Sequence, residues 1–400
     1  MNPLLLHDVF SYRIYVDGAK LHISAPREND PDAVNYVFYP HKIPYDMIIV
    51  DCQHGYISIE AINWLIKHDI SVAILAWNGT LLTSMLPVET KNGKLRISQF
   101  RAYDNEQHRM KIARAIIESK IALSLNNLSE LSRFYNIDIG SIEQKFSQET
   151  KMISVKDTKS LMTLEGRIAD IYWTEMVRIF KTVYPDANFT GRKNLSNSWN
   201  MNASDPVNAL FNYGYAILEN ICRKYANATG FDFSVGFVHE IANSKTPFIY
   251  DVQELFRWLI DLSIIQFCEG RRFKRSDFIT TSDYSMKLDG NTANALIDTI
   301  RLNFARKAPY KGRNHSYEDI LLQNLRMLAN HLYGKESVDF SVPLFSIERN
   351  DSNDIRNRIS NMSPSERKSK GINKSTLWYQ KQHIKQGRPM KLYRKTREKI

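Results

Sequence analysis

Residues 104–125, DNEQHRMKIARAIIESKIALSL, mark the change of period that decides the fold. From this stretch onward apolar residues recur every three or four positions, the spacing of a helix, whereas the chain before it alternates in the spacing of strands. Upstream, 12–16, 20–24, 36–39 and 46–50 read as strands separated by Asp-Gly, Pro and polar turns. One helix is set among them. Ser58 and Glu60 open 59–68, where Ile62, Leu65 and Ile66 fall at helical spacing, and 72–75 returns to strand. Downstream, 157–180, 205–227, 250–268, 291–306 and 317–333 keep the helical period, with Asp205-Pro206 as a start signal and Gly230 as a stop. The expected fold class is α+β and multidomain: a β-rich domain over 1–90, an all-helical domain over 91–345 and a basic extension over 346–400.

The 400 residues carry 54 Lys+Arg against 43 Asp+Glu, and the excess of +11 is not spread evenly. Residues 355–400 hold 14 Lys+Arg and 2 Asp+Glu, a net of +12, which leaves 1–354 at −1. With 43% apolar residues the body can bury real cores, so the basic arm is a separate question from the fold. Cys52, Cys222 and Cys268 stand far apart with no C-x-x-C pair, which argues against a zinc ribbon or disulfide framework and suggests a reduced, cytoplasmic setting. MNPLLLHDVF lacks the basic start of a signal peptide, and the greasiest stretch, 258–267, is short and holds Asp261. No membrane span is expected.

The arm has helix punctuation of its own. Ser363-Pro364-Ser365-Glu366 is a capping box with Pro at the first helical position, and 355–362 before it reads as one short helix. Gly371 supplies a turn, and Asn373 or Ser375 caps a further helix over 376–386 that ends at Gly387. Short helix, turn and longer basic helix is a helix-turn-helix pattern, in which Lys374, Ser375, Trp378, Tyr379, Lys381 and Arg388 would face DNA. A solvated tail without fixed structure is the competing reading. The apolar stripe of Ile372, Leu377, Trp378 and Ile384 is too thin for a membrane-surface helix. Two basic loops in the helical region, one with Arg271, Arg272, Lys274 and Arg275 and one with Lys307, Lys311 and Arg313, extend the anionic-partner theme.

Two places hold residues that could do chemistry. Glu165 lies on the apolar stripe of Leu161, Ile168, Ala169 and Tyr172, so its carboxylate must meet a metal, a cation from a neighbouring helix or hydrogen-bond donors. His239 ends a hydrophobic, non-helical stretch, and Asp251 and Glu254 follow as i and i+3 at the start of a helix. A histidine facing two carboxylates can chelate a divalent cation, and mixed nitrogen and oxygen ligation suits Mn²⁺ or Mg²⁺. Helix-dipole partners and a hydrogen-bonded core histidine are the structural alternatives. Asp51-Cys52-Gln53-His54 reads as the turn out of a strand. No Walker loop, dinucleotide loop, G-x-S-x-G elbow or H-E-x-x-H occurs.

Leu164-Glu165-Gly166, the segment from Asp205 through Asn208, Asn212 and Gly214 to Tyr215, the segment from Gly236 to His239-Glu240, and the segment from Asp251 through Glu254 to Arg257 stand in an order that resembles the CRISPR-associated integrase-endonuclease family. The likeness spans roughly residues 10–335 and includes Arg275-Ser276-Asp277-Phe278. It implies a β domain joined to a helical catalytic domain. It also implies a Mn²⁺ or Mg²⁺ site made by Glu165, His239 and Glu254, with Asp251 as an acidic neighbour behind them; many relatives have Asp where this chain has Glu254. The implied reaction is transesterification, a DNA 3′-hydroxyl attacking a phosphodiester, carried out by a homodimer or higher assembly on double-stranded DNA. The basic arm departs from the usual pattern. It resembles the extensions of casposases, the transposon-encoded relatives, while members in CRISPR adaptation work with a small partner protein. A DNA-binding regulator without turnover and a structure-selective nuclease are the alternatives from other classes.

Overall fold

The computed structural model describes residues 1–7, 11–24, 35–52, 54–152, 155–187, 189–192, 203, 205–243, 245–280, 286–343, 345–347, 359 and 362–385. The chain divides into two compact units, Met1–Phe345 and Ser346–Ile400.

The first unit begins with two four-stranded sheets. One is built from β1 (Pro3–His7), β5 (Met47–Asp51), β7 (Ser71–Leu75) and β8 (Leu81–Met85), in that order, with β1, β5 and β7 parallel and β8 antiparallel. The other runs β4 (Asn35–Phe38), β3 (Lys20–Ser24), β2 (Tyr12–Asp17), β6 (Gly55–Ile57), an antiparallel meander closed by a parallel pair. Every residue of β5 is buried, which is why its MIIVD reads as a run rather than an alternation. Between β6 and β7 lies α1 (Ile59–Lys67), capped by Ser58 as its sequence predicts. Leu6, Ile14, Leu21, Ile48, Trp64, Leu65 and Val72 share one core, so both sheets and α1 close on each other.

The helices that follow are α2 (Gly93–Asp104), α3 (Glu106–Tyr135), α4 (Ile142–Met152), α5 (Thr158–Val183), α6 (Pro206–Thr229), α7 (Pro247–Glu254), α8 (Arg257–Cys268), α9 (Gly290–Ala305) and α10 (Tyr317–Leu332). The boundary near 104 is an Asn105 cap between α2 and α3, and α3 runs ten residues past the expected end before Asn136 closes it in a left-handed conformation. The centre of the bundle is α8, whose ten residues from Trp258 to Ile265 and from Phe267 to Cys268 are all buried. A helix apolar on every side has no solvent face, and Asp261 is the one carboxylate inside it.

Two expectations need correction. The region 91–345 is not all-helical: β9 (Phe278–Thr280) pairs with β10 (Met286–Leu288), and β11 (Lys307–Tyr310) pairs with β12 (Arg313–Ser316). The second pair is the stretch read as a basic loop. Lys311 (φ 47°) and Gly312 (φ 79°) both adopt left-handed backbone, the geometry that lets a two-residue turn join antiparallel strands. The expected single helix over 250–268 is instead two, because Leu255 and Phe256 turn inward as buried side chains and end the first.

In the second unit Ser363 caps Pro364–Ser369, its oxygen accepting from Glu366 N at 3.1 Å, and a second helix follows at Lys374–Lys385. Arg367 Nη1 donates to Ile372 O at 2.6 Å and Lys381 Nζ to Met362 O at 3.2 Å. Of the expected 355–362 helix only 359 and 362 are described, and Arg388 lies outside the described residues.

Candidate active site

Three helices converge on one ammonium. Lys120 projects from the middle of α3, Glu165 from α5, and Glu254 is the last residue of α7. Lys120 Nζ pairs with Glu165 Oε1 and lies 2.6 Å from Glu254 Oε2. Arg257, the first residue of α8, donates from Nε to Glu254 Oε1 at 3.1 Å. The break between α7 and α8 thus places a cation three residues beyond the carboxylate it neutralises. Glu254 is only 6% exposed. Its burial works to raise its pKa, but Arg257, Lys120 and His239 outweigh that and hold it down at about 2. Glu165 therefore meets a lysine from a neighbouring helix, one of the compensations its position on an apolar stripe demanded.

The structure keeps His239 on a loop facing Asp251 but places the two carboxylates differently from the sequence expectation. Because α7 starts at Pro247, Asp251 sits in its interior and Glu254 at its end, not together on its first turn. Asp251, fully buried, is given to the loop: Oδ2 accepts from Phe237 N and, at 3.1 Å, from Val238 N. Its Oδ1 accepts from His239 N at 3.0 Å and pairs with His239 Nδ1 at 2.7 Å. That bond assigns the Nδ1 proton to the carboxylate side and leaves Nε2 as the free lone pair. Gly236 makes the approach possible, since a Cβ there would stand 2.8 Å from Asp251 Oδ2. From the other side Gln99 of α2 binds the carbonyls of Asp232 (2.9 Å) and Val235 (2.7 Å), and Arg109 of α3 donates to Phe237 O at 3.0 Å.

Beside the carboxylates lies a cavity of about 240 Å³ lined by Lys120, Glu165, Trp173, Arg192, Tyr215, Asp261 and others. Asp261, almost fully buried, is among the residues that line it. Tyr172 and Tyr215 donate to its two oxygens at 2.7 and 2.6 Å. Burial pushes its pKa up to about 6, against the two tyrosines, Arg257 and Arg192, which pull it down. The folded protein therefore favours the protonated form, a contribution complete below 3.8 and lost as pH rises through about 6. The neutral isostere Asp261→Asn is expected to gain stability relative to wild type as pH rises from 4 to 7. Urea denaturation of both proteins across that range measures it, and a constant difference would contradict the assignment.

Lys120, Asp261, Gln99 and Arg109 were not singled out from sequence as site residues. Lys120 had a signal: it stands among Ile116, Ile117, Ile121 and Leu123, a charge between apolar neighbours. Asp261 interrupts the greasiest stretch of the chain. Gln99 and Arg109 bind backbone carbonyls of a loop more than a hundred residues away, and no spacing announces that. The expected DNA-facing residues are spread over three places. Arg271, Arg272 and Lys274 are exposed after α8, with Arg275 opening a short 3-10 turn. Lys307, Lys311 and Arg313 are exposed on the β11–β12 hairpin, where Lys311 also meets Glu336 at 3.2 Å. In the second unit Lys374, Ser375, Trp378 and Tyr379 are exposed on the helix Lys374–Lys385, and Lys381 is half-buried.

The donor set suits a hard divalent cation in one respect: two carboxylates from different helices already share a single cation. Among the described residues no three His, Cys, Asp or Glu side chains gather as a ready metal cluster, so His239 does not close a three-ligand group with Glu165 and Glu254 as they stand. His239 Nε2 has no hydrogen-bond partner among the described residues, and the imidazole is near enough to Glu254 to lower its pKa.

Residues 14–301 match the family model for CRISPR associated protein Cas1. The chain is 26% identical over 295 residues to CRISPR-associated endonuclease Cas1 1 of Archaeoglobus fulgidus, covering 70% of this chain and 84% of that one. Among solved structures, a casposase bound to integration product superposes with a TM-score of 0.81 at 35% identity over 90% of this chain and 99% of that one. A Cas1 protein from Thermotoga maritima superposes with a TM-score of 0.67 at 16% identity, over 86% of this chain and 100% of that one, a likeness of fold.

Proposed function

This chain belongs to the CRISPR associated protein Cas1 family, and from that premise we propose that it is a divalent-metal-dependent DNA strand transferase of the casposase type, with endonuclease activity when water replaces the attacking hydroxyl. The observation that carries the chemistry is the convergence of Glu165 and Glu254 on one cation beside a cavity. Glu165, Glu254 and His239 would hold Mn²⁺ or Mg²⁺. Bound there, the ion would favour the alkoxide form of a DNA 3′-hydroxyl and stabilise charge on the pentavalent phosphorus of the transition state.

The protein's own residues do the rest. Asp251 fixes the His239 tautomer so that Nε2 stays a lone-pair donor. Arg257 keeps Glu254 ionised in a buried place. In the reaction a new 3′-oxygen–phosphorus bond forms as the target's own breaks, and the released 3′-oxygen takes a proton. The number of phosphodiesters is unchanged, so no nucleotide energy is needed, in keeping with a sequence that has no Walker loop. Joining two strands requires two such sites, hence a homodimer or higher assembly on double-stranded DNA.

The reading leans to casposase because the casposase structure is 35% identical to this chain across 90% of it, and because of the basic second unit. The CRISPR-adaptation reading, with a small partner protein, rests on curated relatives such as the 26% identical endonuclease. Purified full-length protein with Mn²⁺ is expected to join a 3′-hydroxyl oligonucleotide covalently to plasmid DNA, read as a new band on a denaturing gel. Cleavage of branched DNA with no joined product would make it a structure-selective nuclease instead.

We read the unit Ser346–Ile400 as a helix-turn-helix-like DNA clamp, supported by two short helices, exposed Trp378 and Tyr379, and a net charge of +12 over 355–400. Removal of residues 351–400 is expected to weaken duplex binding and to make the plot of log affinity against log salt shallower by about 0.9 for each phosphate that the arm neutralises. Fluorescence anisotropy from 50 to 300 mM salt, about the range where such slopes resolve, tests this; an unchanged slope would mean the arm does not touch DNA.

A further inference from the structure

We propose that Lys120 is a resident counter-cation of the Glu165–Glu254 pair, which yields its place between the two carboxylates to the divalent cation and so sets the affinity of the site. The inference rests on the metal-site reading above.

The geometry points to it in three ways. First, Lys120 is the point where the carboxylates meet: Nζ pairs with Glu165 Oε1 and with Glu254 Oε2, the latter at 2.6 Å, and among the described residues it has no other ion-pair partner. A cation held by both carboxylates through these oxygens needs the same space, and an ammonium and a dication repel each other there. Second, the pair does not depend on Lys120 alone for neutrality. Arg257 holds the other oxygen of Glu254 at 3.1 Å from a different helix, so Glu254 keeps a partner when Lys120 leaves. Third, Lys120 has somewhere to go. It forms part of the wall of the 240 Å³ cavity, and its flexible four-carbon stem can turn there without moving α3. A guanidinium in the same position would behave otherwise, since its planar fork grips carboxylates through two bonds.

The test is titration calorimetry of full-length protein with MnCl₂, for wild type, Lys120→Met, Lys120→Arg, Glu165→Gln and Glu254→Gln, with thermal melts in EDTA to confirm folding. Lys120→Met removes the competing charge and should bind Mn²⁺ about tenfold more tightly, while Lys120→Arg should bind about tenfold more weakly. In EDTA, Lys120→Met should melt below wild type, because two carboxylates then face each other without the ammonium. Unchanged or weaker Mn²⁺ binding by Lys120→Met overturns the proposal even where both carboxylate variants lose the metal. If Lys120→Met does not fold, Lys120→Arg decides alone: affinity equal to or above that of wild type overturns it. Retention of wild-type affinity by both Glu165→Gln and Glu254→Gln would show that the metal is held elsewhere, and the proposal falls together with the site reading.

Discussion

Glu165→Gln and Glu254→Gln are each expected to lower the rate of DNA joining about a thousand-fold, the scale on which one preorganised charge acts in a buried site. Each substitution keeps the shape of the side chain and removes the charge that would hold the cation. They should differ in their effect on folding. Among the described residues Glu165 is bound by Lys120 alone, and Lys120 retains Glu254 when Glu165 is neutral. Glu254 is bound by both Lys120 and Arg257, so neutralising it leaves the partly exposed Arg257 with an uncharged partner. Breaking a buried pair by removing one member commonly costs about 3–5 kcal/mol; Arg257 is about one-third exposed, so the cost here should lie toward the low end. His239→Ala should match Glu165→Gln in rate with little change in stability, its ring being 30% exposed. Single-turnover joining with Mn²⁺, alongside urea denaturation, separates the two effects. Undiminished joining by all three variants would sink the site assignment.

Asp251→Ala is expected to cost the most in stability of any single substitution around the site. Its carboxylate accepts from three backbone N–H groups and from the His239 ring, all at the turn that carries the histidine. Each buried donor left unmet costs about 1–3 kcal/mol, and because the loop can relax in part, a total near 3–5 kcal/mol is expected. Gly236→Ala probes the same point from the other side. Its new Cβ would meet both Asp251 Oδ2 and the backbone carbon of Pro247 at 2.8 Å, so the loop or the start of α7 must shift. The expected result is a smaller loss of stability than for Asp251→Ala, with joining still lost because His239 is displaced. Wild-type joining by Gly236→Ala would show that the position of the histidine tolerates movement the structure does not allow.

What could be read from sequence was whatever repeats or punctuates. The Ser58 cap of α1, the Asp205-Pro206 start of α6 and the Ser363 box are local signals, and each lies where the structure has a helix start; the change of period near residue 104 marks the start of α3, but the helices already begin with α2 at Gly93. Strands β2, β3, β4, β5 and β7 were visible by alternation or by apolar runs; β1, β6 and β8 were not, because their three to five residues carry too little pattern. Glu165 stood out because a carboxylate on an apolar stripe calls for a partner. The identity of that partner did not, since the contact joins residues 45 apart on two helices. Asp251 and Glu254 looked like a matched pair at i and i+3, but the start of α7 four residues before Asp251 puts one inside the helix, bound to the His239 loop, and the other at the helix end.

The unbroken course of α3 has a consequence for how this site can change. Arg109 and Lys120 lie eleven residues apart on it, about three turns, so they project from nearly the same side some 16 Å from each other. One grips the histidine loop and the other the two carboxylates. The helix is therefore a ruler for the two halves of the proposed reaction centre. Substitutions between its marks alter fit, whereas a single inserted or deleted residue turns one mark by about 100° away from the other. The length of the segment between them is thus as much a part of the site as Arg109 and Lys120 themselves, while its buried Ile112, Ala113, Ile116 and Ile117 hold it in the core.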